Sequence, residues 1–309
     1  MFLTVTLNPA LDKTLWVDRN LPQTTVRARR ALDLAGGKGI NVARALLELG
    51  APARAFMPLA GPRGAHVADL ARGEGMEVTG VPVAGETRTA ITVCEDESGT
   101  YWHYLEPGPQ WEEADLPRLR EGFLWALDGC HSVAVCGSLP SPAAAPLVGW
   151  MVREARQRGL RVALDSFGPL HRQALEMQPW LAKPTLAEWE SATGERLTSD
   201  ADRWSAVERM HRDGVEVALL SLGAEGALAM AAGERYRIVP PRVEEVNDLG
   251  CGDSMVAGLL WAAAQGYSVR ECLAWGGACG AANAVVWDPG GIRRADVERL
   301  LGQVEVRLE

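Results

Sequence analysis

The residues best suited to chemistry form one short run, Asn247-Asp248-Leu249-Gly250-Cys251-Gly252-Asp253-Ser254, set directly before the apolar stretch Met255–Ala264. Two glycines separated by one residue let the backbone take positive φ and aim several N–H groups at one point. The start of a helix adds unsatisfied donors and partial positive charge there. Such a place suits an anion, and Asp253 sets a carboxylate on its rim. Asp and Ser are also ordinary N-cap residues, so a cap alone would account for Asp253 or Ser254. Phosphoryl transfer needs donors on the migrating oxygens and a carboxylate to position and deprotonate the attacking hydroxyl. Gly250 to Asp253 supply both within four residues. The run is no P-loop, since Gly-x4-Gly-Lys-Ser/Thr is absent, and no dinucleotide fingerprint, since the third glycine is missing.

A second glycine cluster, Ala35-Gly36-Gly37-Lys38-Gly39-Ile40-Asn41, opens an amphipathic helix expected over about 41–49 and stopped by Gly50. Glycines before a helix, with a lysine among them, again suggest backbone approaching an anion. Of 31 basic residues only Lys13, Lys38 and Lys183 are lysine. A lysine kept in an arginine-using chain hints at a site wanting a compact ammonium. Asp12 follows the turn Asn8-Pro9-Ala10-Leu11 out of a first strand, residues 2–7. It is therefore expected at a strand's C-terminal end, where ligands of open α/β sheets collect, although a plain turn residue reads the same locally.

These side chains need a scaffold, and 309 residues suffice for one large α/β domain with an appendage, or for two domains. At 47% hydrophobic and 23% charged, the composition is that of an ordinary globular protein. A net charge of −9 argues against nonspecific nucleic-acid binding, though not against a phosphorylated substrate met by a few local cations. Cys94, Cys130, Cys136, Cys251, Cys272 and Cys279 form no Cys-x-x-Cys pair and read as free thiols of a reducing cytoplasm. His66, His103, His131, His171 and His211 lack metal-ligand spacing, which disfavours zinc. Met1–Leu7 reads as a strand and not a signal peptide, and no apolar run approaches a membrane span.

The coarse rhythm is β–α–β, as in a parallel sheet. Residues 53–83 give strand, helix (about 65–73) and strand. After Pro107 come a helix at about 115–126, strand 132–136, a helix at about 143–158 and strand 161–165. A strand-like piece at 180–184 leads to a helix carrying Glu188, then helix 201–213, strand 217–222 and the hairpin 227–231/235–239. The run 269–286 is rich in Ala and Gly and reads as a helix packed tightly on the one that follows Gly252. Residues 14–34 and the hairpin 89–94/100–105 break the rhythm and are expected to pair as a small sheet covering a cleft.

Two stretches carry a family resemblance. Ala35–Gly50 (AGGKGINVARALLELG) and Asp248–Gly258 (DLGCGDSMVAG) resemble the two signature regions of the ribokinase-like sugar kinases, the PfkB family. Leu7-Asn8-Pro9-Ala10-x-Asp12, Thr87-Arg88, Gly137-Ser138-Leu139-Pro140, Leu164-Asp165-Ser166, Lys183-Pro184 and Ser221–Ala227 are similar to its landmarks, in order and from end to end. Lys38 and the Asn-Pro-Ala-x-Asp turn look most like the 1-phosphofructokinase and tagatose-6-phosphate kinase branch. The resemblance implies a doubly wound, mostly parallel α/β sheet and a small β-lid, in one kinase domain spanning 1–309. The core would take 1–12, 35–86 and 107–309, and the lid 13–34 and 87–106, often shared across a homodimer. It implies an ATP- and Mg²⁺-dependent kinase acting on a ketohexose phosphate, most of all fructose 1-phosphate, with tagatose 6-phosphate, fructose 6-phosphate or an unphosphorylated sugar or nucleoside as alternatives.

By position, the resemblance makes Asp253 the base and gives the Gly250, Cys251 and Gly252 amides the migrating phosphoryl group. Asp12, Gly37, Asn41 and Ser138 hold the sugar, and Lys38 and Arg88 its phosphate, as charge logic supports. Lys183, Ser221, Gly223, Gly226 and Asn283 line the nucleotide site. Glu188 and Asp165 serve Mg²⁺, Glu188 through water, because that ion dehydrates reluctantly. Three positions depart from the pattern. Thr185 replaces an Asn, which alters the Mg²⁺/phosphate hydrogen-bond network. Asp248 replaces a Thr or Ser and brings extra negative charge toward the nucleotide. Cys251 replaces an Ala, and a thiol at a helix N-terminus is expected to be activated and open to alkylation, with ATP protecting it. The Thr185 and Asp248 departures are the support for a rival reading, a sensor that kept the fold and lost turnover. Asp253 argues against it.

Overall fold

The computed structural model describes residues 1–140, 145–166 and 175–309. Its large sheet grows outward from β1 (Phe2–Thr6), five residues buried without exception. On one side of β1 lie β4 (Ala53–Ala60) and β5 (Glu77–Val83). On the other lie β8 (Ser132–Cys136), β9 (Arg161–Asp165), β10 (Leu181–Ala182) and β11 (Val217–Ser221), all parallel. Strands β12 (Ala227–Ala231), β13 (Glu234–Val239) and β14 (Glu305–Leu308) extend that edge antiparallel, to ten strands.

Strands buried on both faces need helices on both faces, and the core divides accordingly. One apolar cluster joins the sheet to α1 (Lys38–Glu48), α2 (Gly61–Gly73), α7 (Cys251–Ala264), α8 (Val269–Ala284) and α9 (Arg294–Leu301). The other joins it to α3 (Leu116–Ala126), α4 (Ala145–Gln157), α5 (Leu186–Thr193) and α6 (Asp200–Arg212). This is a doubly wound sheet. The strand order reverses at β1, so a crevice opens there beyond the carboxyl ends of the strands.

Helix α7 is apolar all round because α8 and α1 wrap it. Asp253 to Ala263 are buried, and Leu259 and Leu260 each contribute roughly 1.5–3 kcal/mol by leaving water. Small residues set how closely α7 and α8 approach. A Cβ at Gly258 would stand 2.7 Å from the Trp275 carbonyl, and one at Gly276 2.8 Å from Leu259.

The small sheet has the order β3 (Arg30–Gly36), β2 (Ala10–Val17), β6 (Arg88–Glu95), β7 (Tyr101–Leu105), with β2 and β6 parallel and the outer pairs antiparallel. The expected pairing of the hairpin with residues 14–34 is therefore present. Its strands begin at Ala10 and end at Gly36, so Asp12 lies inside β2 and not in a turn after β1. Helix α1 likewise starts at Lys38, three residues early, taking in Gly39, whose missing Cβ lets that turn lie against the Val5 carbonyl. The expected helix at 143–158 is seen from Ala145; residues 143 and 144, and His171, lie outside the described residues. Neither α9 nor β14 was anticipated. Among the described residues no helix is long and apolar enough to cross a membrane.

Candidate active site

Gly250 caps α7 in the left-handed region, φ 85°, with no room for a side chain: a Cβ would lie 2.8 Å from Pro289. The turn is held from two sides. Asn247 takes the Leu249 N–H on its Oδ1 and donates Nδ2–H to the Trp287 carbonyl. Asn283, wholly buried on α8, donates to the Leu249 carbonyl at 2.7 Å and accepts from the Ser254 hydroxyl and the Gly290 N–H. The Cys251 amide donates a long 3.3 Å bond to the Asp248 carbonyl. Among the described residues the Gly250, Gly252 and Asp253 amides donate to no main-chain carbonyl, leaving donors for an anion.

Asp253 stands in the first turn of α7, 4% exposed, and accepts a 2.8 Å hydrogen bond from Asn41 Nδ2 of α1. Register places Asp165 at the end of β9 with Lys183 beside it just past β10, and the Asp165 charge reaches Asp253. Lys183 is 1% exposed, its Nζ 3.3 Å from Asp165 Oδ2, and it lies under the helix start where a Cβ on residue 252 would stand 2.9 Å from that Nζ. Lys38 Nζ reaches Glu188 Oε1 at 2.6 Å and Asp165 Oδ1 at 3.3 Å. Burial, reinforced by the Asp165 charge, pushes Asp253 up to about 6 against the pull of Lys38, Asn41 and Lys183. Asp165 goes the other way: burial would raise it, but Lys183 and Lys38 outweigh that and hold it below the usual range. For Lys38 burial acts to lower the ammonium, and Asp165, Asp253 and Glu188 overcome it and raise it. The pair therefore splits into a firmly ionised Asp165 and an Asp253 poised to take a proton near neutrality.

Across the crevice, Asp12 on β2 fills the space that residue 36 leaves empty; a Cβ on Gly36 would overlap its carboxylate. Burial pushes Asp12 up to about 6, against Arg44 and Arg88. Arg88, first in β6, donates to the Asn8 carbonyl at 3.1 Å, while its buried Nε has no partner among the described residues. Asn8 Oδ1 is also buried without a partner, its amide nitrogen donating to Ser138 Oγ. Buried unpaired groups of this kind are costly unless something fills them. Gly37, φ 117°, brings the backbone against Thr6 at the entry to α1.

Further out, Ser221 ends β11, Gly223 is exposed, and Gly226, φ 93°, lies flat on β13, where a Cβ would meet the Ile238 carbonyl at 2.0 Å. All three lie at or just beyond the carboxyl end of β11. Three other expectations change. Asn283 spends its donor and acceptor on the loop beneath, which makes it a positioning residue for the helix start. Cys251 is not activated, since burial pushes its thiol up to about 11 and the Asp248, Glu245 and Asp253 charges add to that, against a bond from Asn283. Lys38 is drawn to Glu188 and Asp165, and the charges that act on Asp12 are those of Arg44 and Arg88.

Arg44 is the residue the sequence reading missed. Buried on α1, it donates to Glu74, to Asn41 Oδ1 at 3.2 Å and to the Pro289 and Ala35 carbonyls, tying α1 to the loops on both sides of the site. The signal was present: Asn41 and Arg44 lie three apart on one face of an otherwise apolar helix.

Among the described residues no three metal-ligand side chains gather into a cage. Glu188 and Asp165 nevertheless converge on one cation, and two carboxylates completed by phosphate oxygens and water are what Mg²⁺ takes. Thr185 is at the N-cap of α5 and accepts from the Glu188 N–H, while its own N–H donates to Glu188 Oε2 at 2.8 Å, so the residue replacing Asn aims the carboxylate.

Comparison with known proteins gives matches in sequence and in fold. Residues 5–288 match the pfkB family of carbohydrate kinases. The chain is 31% identical over 281 residues, 90% of its length and 91% of the relative's, to the ATP-dependent 6-phosphofructokinase isozyme 2 of Escherichia coli strain K12. It is 34% identical over 263 residues, 83% of its length and 82% of the relative's, to a 1-phosphofructokinase of Xanthomonas campestris pv. campestris. Its fold matches a crystal structure of Escherichia coli phosphofructokinase-2 in complex with potassium at a TM-score of 0.91, with 28% identity and 98% of each chain covered.

Proposed function

The chain belongs to the pfkB family of carbohydrate kinases, and from that premise we propose that it transfers the γ-phosphoryl group of ATP to a ketohexose phosphate, fructose 1-phosphate first among them. The observation that supports this reading is the meeting of an Asp253 carboxyl raised to about 6 with unspent helix-start amides at one corner of the crevice. Asp253 takes the proton of the acceptor hydroxyl as that oxygen bonds to the γ-phosphorus and the bond to ADP breaks. The Gly250 and Gly252 amides hold the migrating oxygens, joined by the Cys251 amide as its long bond to Asp248 opens, and Asn41 keeps the carboxylate aimed. Asp12, Gly37, Asn41 and Ser138 orient the sugar, and Arg88 holds its phosphate, with its unpaired Nε as a waiting donor. Lys183 steadies the phosphates from below, and Ser221, Gly223 and Gly226 flank the nucleotide. Glu188 and Asp165 hold Mg²⁺, which when bound neutralises charge on the donor's phosphates.

We take residues 1–309 as one kinase unit, the small sheet closing over the acceptor to exclude water. On β7 Tyr104 and Leu105 are 55% and 58% exposed, which suits a homodimer formed through that sheet. Six free thiols and the absence of nucleic-acid or membrane features suit a cytoplasmic enzyme. The test is ADP release over a panel of fructose 1-phosphate, fructose 6-phosphate, tagatose 6-phosphate and unphosphorylated sugars, with and without Mg²⁺. Highest kcat/KM on fructose 1-phosphate is expected. Preference for a 6-phosphate would move the assignment to that acceptor, and no release with any would favour a non-catalytic sensor.

A further inference from the structure

Three carboxylates, Asp165, Glu188 and Asp253, share a corner with two ammoniums, and the two lysines differ. Lys183 is 1% exposed and locked beneath Gly252. The Lys38 side chain is 27% exposed, leaves the first turn of α1 on a flexible stem, and puts its charge between Glu188 Oε1 and Asp165 Oδ1. Those are the two carboxylates that the proposed function gives to the divalent ion. A dication held by that pair, Glu188 acting through water, would compete with the ammonium for the same two carboxylates.

We propose that Lys38 is a resident stand-in cation for the metal: it occupies the Glu188–Asp165 pair until a divalent ion displaces it. The released ammonium then becomes available to the acceptor's phosphate, so metal and sugar phosphate are coupled through one side chain. The arrangement also gives the ligand-free corner a counter-charge for the carboxylates gathered there. Coupling of this kind is reciprocal, so the metal complex must raise sugar-phosphate affinity by the factor by which sugar phosphate raises metal affinity. The inference rests on the proposed metal pair and adds a competitor for it.

The test needs no turnover. Free Mn²⁺ is counted by electron paramagnetic resonance in the presence of ADP, and fructose 1-phosphate binding is measured by calorimetry with and without Mn²⁺·ADP. Lys38→Met is expected to tighten Mn²⁺ at least fivefold and to abolish the gain in fructose 1-phosphate affinity that Mn²⁺·ADP gives the wild type. Lys38→Arg, which keeps a cation, should bind Mn²⁺ within about twofold of wild type, and Glu188→Gln should lose it. Wild-type binding of Mn²⁺ that Lys38→Met leaves equal or weaker overturns the stand-in role while the metal pair stands. Failure of the wild type to bind Mn²⁺ with ADP overturns both.

Discussion

The corner around Asp253 and the ledge around Arg88 face each other across one crevice, yet they are finished to different degrees. In the corner most polar atoms already have a protein partner: Asn41 with Asp253, Lys38 with Glu188 and Asn283 with the loop beneath, while Asp165 Oδ2 has the Lys183 charge at 3.3 Å but no hydrogen bond among the described residues. On the ledge, Arg88 Nε and Asn8 Oδ1 are buried with nothing to bond among the described residues. A wired corner suits groups that must be aimed before chemistry starts. Unspent atoms suit a surface that a ligand completes. The corner therefore governs turnover, and the ledge governs binding.

The sharpest way to break that division is Asp253→Asn. It should cut kcat by about 10²–10⁴ while calorimetry still finds sugar phosphate bound. The same variant removes a buried charge. The folded-state value of about 6 lies above the ordinary 3.8, so this carboxyl favours the folded state most below about pH 4 and loses that contribution as pH climbs to about 6. Above that, Asp253→Asn should be the more stable protein, by up to about 3 kcal/mol in denaturant melts. Turnover within a few-fold of wild type would take the base out of the corner.

Arg88→Ala should raise the sugar-phosphate KM by roughly 10–100-fold, the worth of one charged hydrogen-bonded pair, and leave kcat within a few-fold. A loss carried wholly by kcat would put chemistry on the ledge as well. In the wild type, kcat/KM should fall about tenfold per unit below pH 6, because Asp253 must be ionised to accept a proton. Gly250→Ala forces a Cβ into Pro289 at a positive φ, and thermal melts should show it destabilised by about 1–3 kcal/mol. Smallest of all, Cys251→Ala should stay within about threefold of wild-type activity, and alkylation at pH 7 should be slow, since the thiol is held near 11.

Much of this was legible in the sequence. Apolar residues all round 255–264, led by two glycines, announce a buried helix with a functional start, and that is α7. The β–α–β rhythm announces a parallel sheet, the family likeness adds its double winding, and that likeness, read from two motifs, is borne out by the match over residues 5–288. The misplacements share a cause. Asp12 was set in a turn because Asn-Pro signals one, but the pairing of Ala10 with Gly36 and Arg88 recruits the next residues into a strand. Asn283 reads as a ligand contact because a polar residue among Ala and Gly invites one; it serves instead the carbonyl and amide that a tight loop leaves bare. Arg44 hid for the opposite reason, as an ordinary charge in an amphipathic helix. Its partners come from positions 35, 74 and 289, which no local pattern brings together.

The near-exclusive use of arginine has a practical consequence. An acylating reagent meets only three side-chain amines: one entombed under a helix, one clasped to Asp33 on the small sheet, and one at the mouth of the crevice. Mass-tagging that last amine would report, in a mixture as readily as in a pure sample, whether a ligand had covered it.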